Sequence, residues 1–401
     1  MKRASLVVAV LFLLASPWCG SRPVDARPSK GARAPETSSD ESFRAQDLAK
    51  LAVIVSTEGR RQDSRGNPRQ TQTQSDPQRL VEDVFVQTLL EKGHVVVARS
   101  DIKAVLKEQE LASSGLTDDN AAAMGKLLNV PAVMVVTITE YTSENQRDGK
   151  KNAQVIMARA SLGARLVSVE TGGICWQGRH SLSEAIEGRS ELLLLLDKVT
   201  EKLARAFPVK EPAKTGKKKS SFDPKGIEKL ALIMVGDSRS RNLRIDRKMD
   251  PSDQQRLVED KLGILLGNKG YALVSRSDLQ SVMQEKQFQE SGLTEENVSD
   301  LGKLLNIPAV MVVRITEFGA ESQRKLGGKS KPNSNVTVAI AALGARLVSV
   351  ETGEILWCRT SIESEEVAGK LDATEVLTKV AAKIGNAFPN RAGFSKKTSS
   401  K

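Results

Sequence analysis

Few residue types in this 401-residue chain invite chemistry: two histidines, three cysteines and a lysine-rich run, Thr215–Ser220. A phosphate loop needs a glycine five residues ahead of its Gly-Lys pair, and a Ser or Thr after the lysine. Here Glu211 stands at the first place and Lys218 follows Lys217, so the run reads as solvated linker. His94 and His180 have no cysteine or carboxylate at ligand spacing and read as structural. Cys175 and Cys358 each sit beside a tryptophan, Trp176 or Trp357, but in different strand phases. The sequence leaves open whether they pair, since bridging requires adjacent strands. No nucleophile, base and orienting group come together, so no enzyme, metal or cofactor is expected.

The remaining candidates are charges. Arg99 with Asp101, and Arg276 with Asp278, occupy a strand–helix junction, where a capping aspartate with an arginine nearby is the ordinary explanation. Arg165 and Arg346 point to one sheet face, close to Glu170 and Glu351 at a turn. Two readings stay open for these six residues: structural pairing, or a partner-facing surface.

The elements that carry them are written twice. Residues 99–136 and 276–313 share 21 identities in 38 without a gap, and LGARLVSVETG recurs unchanged at 162–172 and 343–353. QRLVED at 78–83 and 255–260, and Ala-Phe-Pro at 206–208 and 387–389, complete the pattern. The offset between copies is 177 early and 181 late. Units of about 160 residues are tandem domains rather than solenoid repeats.

Within the first copy, Leu51–Val55 is a buried strand. Pro77–Lys92 is a helix by the spacing of Leu80, Val84 and Leu89, stopped at Gly93. His94–Ala98 is a second strand. Ser100 or Asp101 caps a helix bearing Ile102, Val105 and Leu106, and Gly115 suits its left-handed end. Thr117 starts the next helix, with Asp118 and Asp119 in its first turn. Gly125 inside that helix costs roughly 1 kcal/mol against alanine, a sign of close packing. Pro131 opens the apolar strand Ala132–Thr139, a polar loop over Tyr141–Ala153 follows, and Gln154–Val169 turns through Glu170-Thr171-Gly172 into Ile174–His180. A helix over about 189–207 closes the copy. The order β-α-β-α-α-β-β-β-α predicts an α/β fold, two tandem layered α/β sandwiches each with a mixed sheet.

The chain divides into 1–26, 27–50, 51–208, 209–229, 230–389 and 390–401. Lys2 and Arg3 precede an apolar region of 12 residues, Ala4–Ala15, too short to span a bilayer, and Val24-Asp25-Ala26 fits a cleavage site. Residues 1–26 read as a secretory signal, with lipidation of Cys19 as the rival, and 27–50 as a flexible lead. The formal charge is +11, yet each domain is neutral, with 20 basic and 20 acidic residues in 51–208 and 21 of each in 230–389. The excess belongs to the signal, the lead, the Lys-rich linker 209–229 and the basic tail 390–401. Basic runs without interleaved aromatics argue against nucleic acid. Linker and tail allow salt-sensitive contact with anionic lipid or cell-wall polymer.

The succession Arg-Ser-Asp, Ser-Gly-Leu-Thr, Gly-Lys-Leu-Leu-Asn, Pro-Ala-Val-Met-Val-Val and Ala-Arg-Leu-Val-Ser-Val-Glu-Thr-Gly, present in both copies, resembles the CsgG family. That family is named for the curli production assembly/transport component and is related to outer-membrane lipoprotein activators of penicillin-binding proteins. The resemblance implies a non-enzymatic protein of the periplasmic side that binds an envelope partner or itself as scaffold or regulator, with outer-membrane association admitted. The alternative is a component of a curli-type secretion channel. Tyr141–Ala153 and Gly319–Asn335 are polar throughout, whereas a membrane hairpin needs outward apolar alternation and aromatic girdles. Whether the two domains pack together or hang on the linker is left open.

Overall fold

The structure is a computed structural model that describes residues 34–40, 43–57, 76–97, 118–148, 153–186, 190–210, 224, 226–235, 250–275, 278–279, 281, 298–325, 334–367 and 373–391. The signal, the tail beyond Arg391, most of the linker and the expected helix after Ser100 lie outside these residues. The first repeat builds a mixed five-stranded sheet in the order β1-β5-β4-β3-β2 from β1 (Glu36–Ser39), β2 (Leu51–Thr57), β3 (Ala132–Asp148), β4 (Ala153–Ser168) and β5 (Ile174–Ile186). Its helices are α1 (Asp76–Glu91), α2 (Asp118–Leu127) and α3 (Ser190–Ala206). The second repeat orders its sheet β10-β9-β8-β6-β7, from β6 (Lys229–Met234), β7 (Ala272–Leu273), β8 (Ala309–Lys325), β9 (Ser334–Ser349) and β10 (Ile355–Val367). Its helices are α4 (Pro251–Gly267), α5 (Val298–Leu304) and α6 (Ala373–Ala387). Two tandem α/β sandwiches with mixed sheets are thus what the structure shows. In each, β2–β3 or β6–β8 is the parallel pair and the long hairpins are antiparallel.

Four expectations change. The segment 27–50 is not merely a flexible lead, because β1 pairs antiparallel with β5 and Ala45 and Leu48 are buried. The polar stretch from Tyr141 is not a loop: β3 runs on to Asp148 and pairs with β4 down to Ala153. Strand pairing is a backbone matter, and polar side chains do not forbid it where both faces meet water. The strand expected at His94–Ala98 shrinks to single bridges, Leu51 with Val96 and Val97 with Glu354. In the second repeat the capping hydroxyl at the strand–helix junction is that of Ser275, which accepts the Asp278 N–H at 3.1 Å.

Other local readings hold. A Cβ on Gly125 would collide with Val169 and Val133, and one on Gly302 with Val350, so each glycine lets a helix press onto its sheet. Gly172 and Gly353 take φ of +69° and +67° in the twin hairpin turns, a region glycine enters without strain. The shared Ala-Phe-Pro has a purpose. Phe207 and Phe388 end the last helices and meet Trp176 and Trp357 edge-on, at centroid distances of 5.0 and 4.9 Å. Lys92 and Lys269 donate to the carbonyls of Phe207 and Phe388, placing a cation at each helix C-terminus.

Candidate functional site

Helix α1 differs from its twin α4 in being buried on two sides. Toward its own sheet it packs Leu80, Val84, Phe85 and Leu89, each no more than 4% exposed. Val86 and Leu90 are buried too, in the cluster that also holds Ile340, Ala342 and Val348 of β9 and Ile355 and Cys358 of β10. The first repeat's helix therefore lies between two sheets, and residues 32–401 form one compact unit. Full burial of one such apolar side chain contributes about 1.5–3 kcal/mol.

At the centre of this joint lies a charged group. Arg346 of β9 reaches Asp83 through Nε at 2.5 Å and Glu82 through Nη1 at 3.0 Å, with all three side chains at most 6% exposed. Gly344, two residues before Arg346 on the same face, makes room, since a Cβ there would collide with the Asp83 carboxylate. The Thr360 N–H and hydroxyl both donate to Gln87 Oε1, at 3.0 and 3.2 Å, and the Cys358 thiol donates to the Asp83 carbonyl at 3.5 Å. At the rim the Ile355 N–H donates to the Val96 carbonyl at 3.0 Å, and Lys50 pairs with Glu354 at 3.8 Å.

Arg165 holds the same place in the first repeat and has a different fate. It pairs at 2.5 Å with Asp118, at the start of α2, and its side chain is 29% exposed. Among the described residues nothing lies within 4 Å of a Cβ built on Gly163, and Arg159, Gln177 and Arg179 are exposed, although Ser161 on the same face is buried. Ile174, twin of the buried Ile355, is 40% exposed. Arg346 is thus a structural residue of the joint, and Arg165 sits on an accessible surface. Arg99, Asp101 and Arg276 lie outside the described residues, and Asp278 is exposed.

The histidines are structural members of the core. His94 Nε2–H donates to the Pro208 carbonyl at 3.1 Å, and the Tyr271 hydroxyl does the same to Pro389 at 3.2 Å in the second repeat. Burial lowers the His94 pKa, helped by the Lys210 and Lys92 cations, although the bond to Pro208 opposes the shift. Cys175 and Cys358 are both free thiols. Among the described residues no group of three or more His, Cys, Asp or Glu is placed to hold a metal ion. No described helix is long and apolar enough to cross a membrane.

Sequence reasoning missed Glu82, Asp83, Gln87 and Thr360. A signal existed: Val81, Val84, Phe85 and Val86 make α1 apolar nearly all round, which for a helix means burial on more than one side. Two carboxylates inside such a helix need a cation from elsewhere.

Several solved structures are similar to this chain. A PelC dodecamer from Paraburkholderia phytofirmans is 15% identical over 43% of this chain and 96% of its own, with a TM-score of 0.26. Lipoprotein GNA1162 from Neisseria meningitidis is 16% identical over 40% and 99%, with a TM-score of 0.26. The LpoB C-terminal domain from Escherichia coli is 18% identical over 34% and 82%, with a TM-score of 0.21. No curated protein matches the sequence. The family model described as "Curli production assembly/transport component CsgG" matches residues 44–179 and 262–385, more than half of the chain and one segment in each repeat. The chain belongs to the CsgG family.

Proposed function

We propose that this chain is a non-catalytic scaffold or regulator on the periplasmic side of the cell envelope, serving the assembly of envelope or surface structures by protein–protein contact. The observation that carries the reading is the contrast between the two sheets. The second sheet spends one face on an element from another domain. The first keeps the equivalent face, with Arg165, Arg179 and Ile174, open to a partner. Family membership and the apolar N-terminal segment support the envelope location. Arg165 is the partner-facing residue of this reading, with Arg99, Asp101, Arg276 and Asp278 as secondary candidates. Cross-linking and capture from envelope extracts test it. The wild-type chain should retain a specific protein that Gly163→Trp, which fills the open face, does not. Equal capture by both would remove that face from the function.

The rival reading, a component of a curli-type outer-membrane channel, draws on the length of the hairpins. β3 and β8 run 17 residues each, more than the 9–11 a membrane strand needs. Their outer halves, from Thr142 and from Glu321, are polar in sequence, which disfavours a lipid-facing surface. Reproducible conductance in liposomes would reverse the preference.

A further inference from the structure

We propose that residues 207–210, the strap leading from α3 into the linker between the repeats, are a clasp that opens when His94 takes up a proton, and that the matching strap at 388–391 is not. The proposal goes beyond the function put forward above and does not depend on it. Three basic side chains tie the first strap down, each by donating to a backbone carbonyl. His94 Nε2–H donates to Pro208 at 3.1 Å, Lys92 Nζ to Phe207, and Lys210 Nζ to Leu48 at 2.6 Å. The Lys210 N–H also donates to the Lys92 carbonyl at 3.2 Å. Leu48 belongs to the segment between β1 and β2, so the strap is fastened both to the end of α1 and to the chain that carries β1.

His94 is 1% exposed. With Nε2–H given to Pro208, its Nδ1 is a buried lone pair with no hydrogen-bond partner among the described residues. A second proton would put a donor there with nothing to accept it, and a charge where burial penalises charge. The neighbours add to the penalty. Lys92 at the end of α1 and Lys210 in the strap are the cations that act on His94, and Arg205 of α3 acts in turn on Lys92. The rings of this cluster, Phe207 against His94 and then Phe43 and Trp176 against Phe207, carry no charge. Opening the strap relieves both penalties at once, because water reaches the imidazolium and Lys210 moves away from it.

The second repeat keeps the same strap without the trigger. Tyr271 stands in the place of His94, and its hydroxyl donates to Pro389 at 3.2 Å. Lys269 Nζ donates to the Phe388 carbonyl at 2.6 Å and the Arg391 N–H to the Lys269 carbonyl at 3.0 Å, so the backbone path is the same. The charges differ. Arg391, the twin of Lys210, pairs with Glu228 at 2.6 Å, whereas the first repeat has Ala49 where Glu228 stands. A tyrosine gains no charge on acidification, and Glu228 balances the cation beside it. In the first repeat, by contrast, the open strap returns His94 to its ordinary value of 6.5, and the closed strap holds the proton more weakly. The open fraction therefore rises as pH falls, by up to about tenfold between pH 7.5 and pH 5.5.

Amide hydrogen exchange of the purified protein, read by mass spectrometry at several values from pH 7.5 to pH 5.5, tests this. Peptides over 203–210 and 384–391 report on the two straps, and peptides from β3 report on the core. Each rate is divided by that of the same peptide in His94→Gln at the same pH, which cancels the intrinsic effect of pH on exchange. Glutamine keeps an N–H for Pro208 and does not titrate. Should that variant fail to fold, His94→Tyr, which copies Tyr271, takes its place. The ratio at 203–210 should climb by up to about tenfold as pH falls to 5.5, and stay flat at 384–391 and in β3. A ratio at 203–210 that does not change with pH would overturn the proposal. So would an equal rise at 384–391 or in β3, because the acid effect would then be a loosening of the whole fold rather than of this strap.

Discussion

Arg346 and Asp83 are 263 residues apart in the chain, yet their side chains meet in the interior of the molecule. Burying such charges costs several kcal/mol per ion, and mutual attraction offsets this only while every partner stays in place. Arg346→Ala leaves Asp83 and Glu82 buried without the Arg346 cation. It should destabilise the chain by about 3–5 kcal/mol. Arg165→Ala removes the same residue from an accessible surface and should cost about 1 kcal/mol or less. Urea unfolding of the two variants beside the wild type checks the difference.

The paired glycines offer a second contrast. Gly344→Ala puts a Cβ against the Asp83 carboxylate and should cost about 1–3 kcal/mol, the usual range for overpacking. Gly163→Ala meets no atom of the described residues within 4 Å and should stay within about 0.5 kcal/mol of wild type. Thermal unfolding measures both; equal losses would show that the second glycine is covered in solution.

Asp197 on α3 gives a pH test. Burial, with the nearby Glu201 charge adding to it, pushes its pKa from 3.8 up to about 6. The folded state therefore holds a proton that the unfolded state releases, so stability is lost as pH rises from about 4 through about 6. Asp197→Asn should raise stability at pH 7.5 and leave it nearly unchanged near pH 4, as denaturant titrations at the two values would report.

His94 works in the opposite sense. Its folded pKa lies below the ordinary 6.5, chiefly through burial, so the unfolded state binds the proton first as pH falls. The stability contributed by neutral His94 is complete above about pH 6.5 and is lost as pH drops below it. His94→Tyr should fold and reduce this acid sensitivity, since Tyr271 makes the same bond in the second repeat with its hydroxyl pKa pushed up to about 12 by burial. Stability measured from pH 7.5 to 5 follows the change.

The fold was largely legible because its signals are local. Leu80, Val84 and Leu89 declared α1, Gly125 declared a close helix–sheet contact, and Glu170-Thr171-Gly172 declared the turn that Gly172 makes with positive φ. Strand β1 was not legible, because Glu36-Thr37-Ser38-Ser39 has no apolar alternation and is held by backbone pairing to β5. The outer half of β3 escaped for the same reason. The joint was legible least of all. Eleven identical residues surround Arg165 and Arg346, and identical sequence carries no mark of which copy is covered. That information sits where the copies differ, in Ile340 against Arg159 and Leu90 against Gly267.

Those differences make the order of the two copies meaningful. Were the coding halves transposed, the helix entering the joint would be α4, presenting Gly263 and Gly267 to a face lined by Ser161 and Arg159. The apolar face built from Ile340 and Ala342 would be left in water, as would Val86 and Leu90. A duplication that began with interchangeable members has become a sentence with a fixed word order, and neither half can now be cut out or moved without exposing what the other was shaped to cover.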